Sequence, residues 1–264
     1  MEDILGYLGA LVIGLVLGLI GGGGSILTVP LLVYLLGYNP VVATAYSLFV
    51  VGSSSVVGVI QKHRKKQVDF KTGFTFVFPS FIAVYMSRRF LVPYIPDEVF
   101  SLGSFVLTKE MAIMVFFSLV MFLASISMIR GRKNLEDENQ QKSQPYYKTF
   151  IQGLFIGLVT GLIGAGGGFL YVPALVIWGG LSMKKAVGTS LIIIAFNSLI
   201  GFTGDIQTLE IDWGFLLTFS AITIIGILLG GYFSKYISNK KLKKSFGWFV
   251  MLMAIYILIR EISA

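Results

Sequence analysis

The chain of 264 residues contains no cysteine and a single histidine, His63. The first absence excludes disulfides, thiol catalysis and thiolate metal sites, and the second excludes a zinc centre built from histidines. Charge is scarce as well: Asp, Glu, Lys and Arg make up 13% of the residues against 55% hydrophobic. So little charge cannot clothe a soluble domain, and the mean hydropathy is +0.83. No polar stretch is long enough to form a separate soluble domain, so the chain reads as one multi-pass domain of the cell membrane, with the lipid bilayer as its partner. Without thiols, paired histidines or paired carboxylates inside the apolar runs, an enzyme is a poor fit. No catalytic residue, metal ligand or cofactor is expected.

The net charge of +8 comes from lysines and arginines grouped in short loops between apolar runs. That is the distribution of the positive-inside rule, and no nucleic acid is expected as a partner. Glu2 and Asp3 stand where a signal peptide would be basic, so the first apolar run is expected to be a retained membrane segment.

What the chain has in excess is glycine, in two similar stretches: "GLIGGGGSILTVP" from Gly18 and "GLIGAGGGFLYVP" from Gly161. A constant offset of 143 maps the first onto the second, and from Gly18 to Gly58 a direct count finds 17 of 41 pairs identical without a gap. The match extends to Asp69 and Asp212. This is an internal repeat, with residues 1–129 as the first membrane unit, 149–264 as the second, and the polar segment 130–148 as a cytoplasmic linker.

Equivalent loops of the two units carry opposite charge. "QKHRKKQVDFK" faces "GDIQTLEID", and the near-neutral "SRRFLVPYIPDEVF…TKE" faces the basic "SKYISNKKLKK". Loops of opposite charge belong on opposite faces of a membrane, so the repeats are expected to be inverted. The predicted fold is therefore an all-α polytopic membrane protein of two inverted-topology repeats, each with a Gly-rich broken segment and about three transmembrane helices.

The pieces flanking the second glycine break, Phe150 to Ile163 and Phe169 to Trp178, are about 14 and 10 residues long, roughly 21 and 15 Å as helix. Both fall short of a hydrocarbon core about 30 Å thick. Re-entrant hairpins with their tips at the glycines fit this best, one of them covering Ile4 to Leu36. The spans are expected at Val41 to Ile60, Phe70 to Ser87, Met111 to Ile129, Ala186 to Thr203, Trp213 to Phe233 and Ser245 to Ile259, with both termini outside. The rival topology runs each broken segment straight through.

No Lys-Ser/Thr follows the glycines, which excludes a phosphate loop, and "GAGGGF" is too loose for a dinucleotide fingerprint. Gly14 and Gly18, like Gly157 and Gly161, are spaced for close helix packing. The runs Gly21, Gly22, Gly23, Gly24 and Gly164, Ala165, Gly166, Gly167, Gly168 instead supply unwound backbone, which a membrane tolerates only inside protein or beside a cavity. Ser25 is expected to cap the returning half-helix, with Pro30 and Pro173 near its first turn. The amides and dipole at such a helix start attract anions. The two starts are expected to converge on one anion site with few or no charged side chains.

Polar neighbours are expected from Ser47, Ser53, Ser54 and Ser55, and from Ser190, Asn197 and Ser198. Each serine is also explained by packing or back-bonding, and Asn197 is the costliest of the set to bury. Asp69 and Asp212 suit helix capping, with a gate or ion site as the alternative. His63, within "KHRKK", is expected in a solvated loop.

The doubled stretches "GLIGGGGSILTVPLL" and "GLVTGLIGAGGGFLYVPAL", each followed by a segment of the "AVGTSL" type and a "VDW"-like end, resemble the sulfite exporter TauE/SafE family, also called the toluene-sulfonate uptake permease family. The likeness covers essentially the whole chain. One departure is that "ATAYSLF" stands where the second copy has "AVGTSLI", so Tyr46 faces Thr189. The resemblance implies a secondary transporter of sulfite, organosulfonates or related small sulfur anions. A permease for another small anion such as a carboxylate, and a structural membrane protein, are the alternatives. A coupling proton or sodium ion, the direction of transport and the oligomeric state are left open.

Overall fold

In the computed structural model, residues 2–102, 105–130, 146–164 and 167–263 are described. Eleven helices and one β-hairpin are formed among them. Helix α1 (Glu2–Ile20) is followed by α2 (Gly23–Pro30), which continues as wider π turns over Leu31–Leu35. Helix α3 (Pro40–Arg64) and helix α4 (Phe70–Met86) come next. A π stretch, Ser87–Leu91, prolongs α4 into the short α5 (Val92–Tyr94). The antiparallel strands β1 (Glu98–Leu102) and β2 (Phe105–Thr108) lead into α6 (Lys109–Arg130). The second half holds α7 (Tyr146–Ile163), α8 (Gly168–Ile177), α9 (Met183–Asp205), α10 (Trp213–Phe233) and α11 (Asn239–Ser263).

Among the described residues, five helical stretches are long and apolar enough to cross a membrane: Pro40–Arg64, Phe70–Tyr94, Lys109–Ile126, Met183–Asp205 and Trp213–Phe233. The expected span Ser245 to Ile259 lies within α11. The expected linker lies almost entirely outside the described residues, which resume at Tyr146.

Large apolar side chains face outward, among them Phe78, Phe155, Leu217, Leu252 and Ile259. The interior holds Ser47, Ser54, Ser80, Asn197 and Thr223. Such a distribution suits lipid, because a bilayer is itself an apolar solvent for the outer surface. Of the five membrane-length stretches, α9 is the most enclosed, with 78% of its apolar stretch buried, and α3 follows at 67%; these two helices pack together.

Glycines bring the outer helices close. Gly14 of α1 lies against the backbone of Thr223 and Gly226 on α10, and Gly18 lies against Ile227 and Gly230. In the other half, Gly157 of α7 lies against Ser80 on α4, and Gly161 against Val84 and Ser87. The offset of 143 converts each pairing into the other, turning Gly14 into Gly157 and Ser80 into Thr223. Association in lipid depends on such close packing, since burial of apolar surface gives little between helices there.

Helix α2 folds back along α1. Gly24 sits on Ile13 and Leu17, Gly9 meets the side chain of Leu31, and Gly6 meets that of Leu36. Pro30 is the last residue of α2 and has no N–H to donate to Ile26, so the helix widens into the π turns that follow it.

Two ends of the bundle can be told apart. At one, the close of α3 (Lys62, Lys65), the start of α9 (Lys184) and the segment after α10 (Ser234, Lys235) surround a common cavity. At the other, Asp212 at the start of α10 meets Tyr46 near the start of α3.

Candidate substrate site

Helix α1 stops at Ile20 because Gly21 takes a left-handed φ of +75°, a conformation open to glycine at little cost. Its N–H still closes the helix on Leu17 O at 2.7 Å. In the second half, Gly164 and Gly167 both have φ +67°. The chain between them, Ala165 and Gly166, lies outside the described residues.

The backbones of Gly22 and Gly168 press against each other. A Cβ on Gly22 would collide with the carbonyl of Gly168, and one on Gly168 with the Cα of Gly22. Since α2 starts at Gly23 and α8 at Gly168, the two helix starts lie side by side. Their depth is set by α9: Gly21 rests on Val187, Ser190 donates from Oγ to Gly21 O at 2.9 Å, and Gly168 lies against Ile194, halfway along α9.

The caps differ from expectation. Gly22 caps α2 and Gly167 caps α8, and neither has a side chain with which to satisfy an amide. Ser25 is the third residue of α2 and not its cap, and its side chain is outside the described atoms. The prolines are not in the first turn either: Pro30 ends α2, and Pro173 is the sixth residue of α8. Both interrupt the hydrogen-bond ladder past the first turn.

The expected polar residues fall into two groups. Ser190 belongs to the glycine contact, as above. Two turns further along α9, Asn197 donates from Nδ2 to Ser80 Oγ at 2.7 Å and to Tyr171 Oη at 2.6 Å, which joins α9, α4 and α8. Its Oδ1, and the hydroxyls of Ser47, Ser54, Ser55 and Ser198, are buried without a protein partner. Ser53 bonds back to Val50 O within its own helix. Gly24 is consumed in packing on α1, and Gly167 lies against Thr160 and Tyr171.

A charged pair stands where none was expected. "SRRF" reads as a loop, yet helix continues through it, and Arg88 is 1% exposed. Arg88 donates from Nε to Asp205 Oδ2 at 3.0 Å and from Nη2 to Thr44 Oγ1 at 3.0 Å, while Nη1 has no partner. A Cβ on Gly164 would come 3.0 Å from Nη2, so the guanidinium flanks the second glycine turn. A buried charge in a membrane protein is costly, and here Asp205 offsets part of that cost. The signal available in the sequence was Asp205 closing an apolar run and Arg88 following one.

The capping residues also join the halves. Asp69 accepts from Thr72 N at 3.1 Å and Asp212 from Phe215 N at 3.0 Å, both as N-caps. The backbone N–H of Asp69 donates to Thr189 Oγ1 at 2.9 Å, and that of Asp212 donates to Tyr46 Oη at 2.8 Å. Tyr46 and Thr189 differ chemically yet occupy matched positions and accept matched hydrogen bonds. His63 is exposed, but in the last turn of α3, with its ring edge-on to Phe70.

Outward-facing apolar helices around a polar, glycine-lined centre define a multi-pass membrane protein, and the family it matches places it in the transporter class. The chain matches the family described as Sulfite exporter TauE/SafE over residues 6–257, and it belongs to that family. Its relatives are named as membrane transporters and not as enzymes. A "Probable membrane transporter protein" of Xylella fastidiosa is 29% identical over 254 residues, covering 94% of this chain and 92% of the relative. One of Haemophilus influenzae is 29% identical over 262 residues, covering 92% of each. The "Probable membrane transporter protein YunE" of Bacillus subtilis is 28% identical over 276 residues, covering 94% of this chain and 92% of the relative. No solved structure matches the chain.

Proposed function

We propose that the protein is a secondary transporter of sulfite, an organosulfonate or a related small sulfur anion, bound between the two glycine turns and moved by alternating access. The observation that carries this is the contact of Gly22 with Gly168 at the starts of α2 and α8. Two helix starts lying side by side bring two positive dipole ends together, and such ends favour an anion. An oxyanion with several acceptor oxygens uses such a place well. Ser47, Ser54, Ser190 and Asn197 are the side chains assigned to its surroundings.

The two membrane units, 1–129 and 149–264, are taken as inverted repeats joined by the linker 130–148, each with a re-entrant hairpin. Support comes from the exchanged contacts of Gly14 with Thr223 and Gly157 with Ser80, and from the exchanged bonds at Asp69 and Asp212. Support also comes from the return of α2 along α1. Repeats so related give two access states by swapping their conformations.

The test is flux into proteoliposomes with sulfite, sulfate, thiosulfate, a sulfonate and acetate, with and without sodium and pH gradients. Saturable sulfite or sulfonate uptake is expected. Equal transport of acetate would point to the carboxylate alternative, and no flux of any anion would defeat the proposal.

A further inference from the structure

Beside the first glycine turn, where α3 and α10 finish and α9 begins, lies a cavity of about 90 Å³. Four lysines line it, Lys62, Lys65, Lys184 and Lys235, with Leu19 and Val187 at its inner wall. Lys62 is only 2% exposed, and its Nζ donates to Ser234 Oγ at 3.1 Å. Lys65 donates from Nζ to Gly231 O at 2.7 Å. Both partners are neutral. Among the described residues the one ion pair is Arg88 with Asp205, at the opposite end of the bundle. None of the four cavity lysines therefore has a carboxylate within 4.0 Å among those residues.

Four like charges around a small space repel one another, and walls of low dielectric strengthen the effect and focus the field into the cavity. The need for basic loops on one membrane face does not account for this arrangement. A charge that sets topology works equally well from solvent, whereas Lys62 is drawn into the wall and held there by a hydroxyl. A space of this size admits one small oxyanion or a few waters.

The cavity also has an inner neighbour. Val187 lines it and carries the backbone on which Gly21 rests, so one residue separates the lysines from the first glycine turn. We propose that this cavity is a binding site for a small doubly charged oxyanion, and that it delivers the anion to the glycine turn. The binding half of the proposal stands on the lysines alone, and the delivery half rests on the transport function proposed above.

The experiment uses the full chain, purified for calorimetric binding and reconstituted for flux, with sulfite and sulfate as probes. Lys184 and Lys235 are exposed at the rim, so Lys184→Gln with Lys235→Gln disturbs only surface contacts, those of Lys235 with the rings of Tyr232 and Tyr236. Lys185→Gln, exposed on the same turn but outside the cavity, is the control. The double variant is expected to weaken sulfite and sulfate binding about ten-fold or more. It is also expected to raise KM for flux started from the lysine side, with the maximal rate and the opposite-side KM unchanged. Lys62→Gln is expected to deepen the binding loss.

Wild-type affinity in the double variant would overturn the proposal. So would an equal loss in Lys185→Gln, which would mean general surface attraction, and so would a wild-type protein that binds neither probe. The two proposals separate through Gly22→Ala. If it leaves flux intact while the lysine variants weaken binding, the glycine-turn site falls and the cavity stands. If it stops flux while the lysine variants change nothing, the cavity falls and the glycine-turn site stands.

Discussion

Gly22 and Gly168, 146 positions apart in the chain, lie backbone against backbone, and each is the nearest obstacle to a side chain on the other. Neither helix start could approach the other if either residue carried a Cβ. Replacing Gly22 with Ala is therefore expected to separate the starts of α2 and α8 and to abolish sulfur-anion flux in proteoliposomes. Gly37 is the control, because its left-handed turn has nothing within 4 Å of a Cβ. Gly37→Asn, suited to that conformation, should transport normally, and full flux in Gly22→Ala would remove the glycine contact from the mechanism.

Arg88 and Asp205 are expected to behave as a coupled pair. Arg88→Gln strands a buried carboxylate and Asp205→Asn strands a buried guanidinium, each costing about 3–5 kcal/mol by analogy with other buried pairs. The double variant should recover most of the loss. Thermal unfolding in detergent reads this directly, and additive losses would show that the two charges act independently.

Asn197 links α9 to Ser80 and Tyr171. Asn197→Leu removes both donors and leaves two hydroxyls to find other partners, with an expected loss of about 1–3 kcal/mol. Ser53→Ala, which loses only a bond within its own turn, should cost under about 1 kcal/mol. Comparable melting temperatures for the two would contradict the cross-helix role of Asn197.

Tyr46→Phe and Thr189→Val each remove the acceptor for one backbone N–H, at Asp212 and Asp69 respectively. Each should lower stability by about 1 kcal/mol, and the two effects should be similar because the positions are matched. A large effect at one and none at the other would show that the two halves do not share this contact equally.

Sidedness is open to a reporter fusion. The C-terminus after α11 is expected on the face opposite the linker 130–148, since in the proposed topology α7 with α8 returns to its own side and α9, α10 and α11 each cross once. A C-terminal reporter on the same face as the linker would defeat the hairpin topology.

Much of this architecture was legible in the chain because its signals are local. Hydropathy marked α3, α4, α6, α9 and α10 to within a few residues, since each must match a bilayer by its own composition. Four successive glycines have no use in a regular helix, and α1 ends at Ile20, one residue before them. Asp69 and Asp212 showed as caps because the cap bonds an amide three residues away. The misplaced details were those of hydrogen-bond geometry: the cap fell on Gly22 and not on Ser25, and Pro30 closed α2 where it was expected near the first turn. Which glycine turns first depends on what the turn packs against, and for Gly21 that is Val187, far along the chain.

The sequence by itself determined a membrane solvent, and it raised the expectation of a duplicated plan with a helix stop at each glycine run, because composition and backbone propensity act over a few residues. Only the tertiary structure decided that the two stops touch, that Arg88 finds Asp205 117 positions away, and that four lysines from three segments share one cavity. Those outcomes depend on the relative placement of helices, which is fixed by close packing of glycines on distant backbones and leaves no periodic trace in the chain.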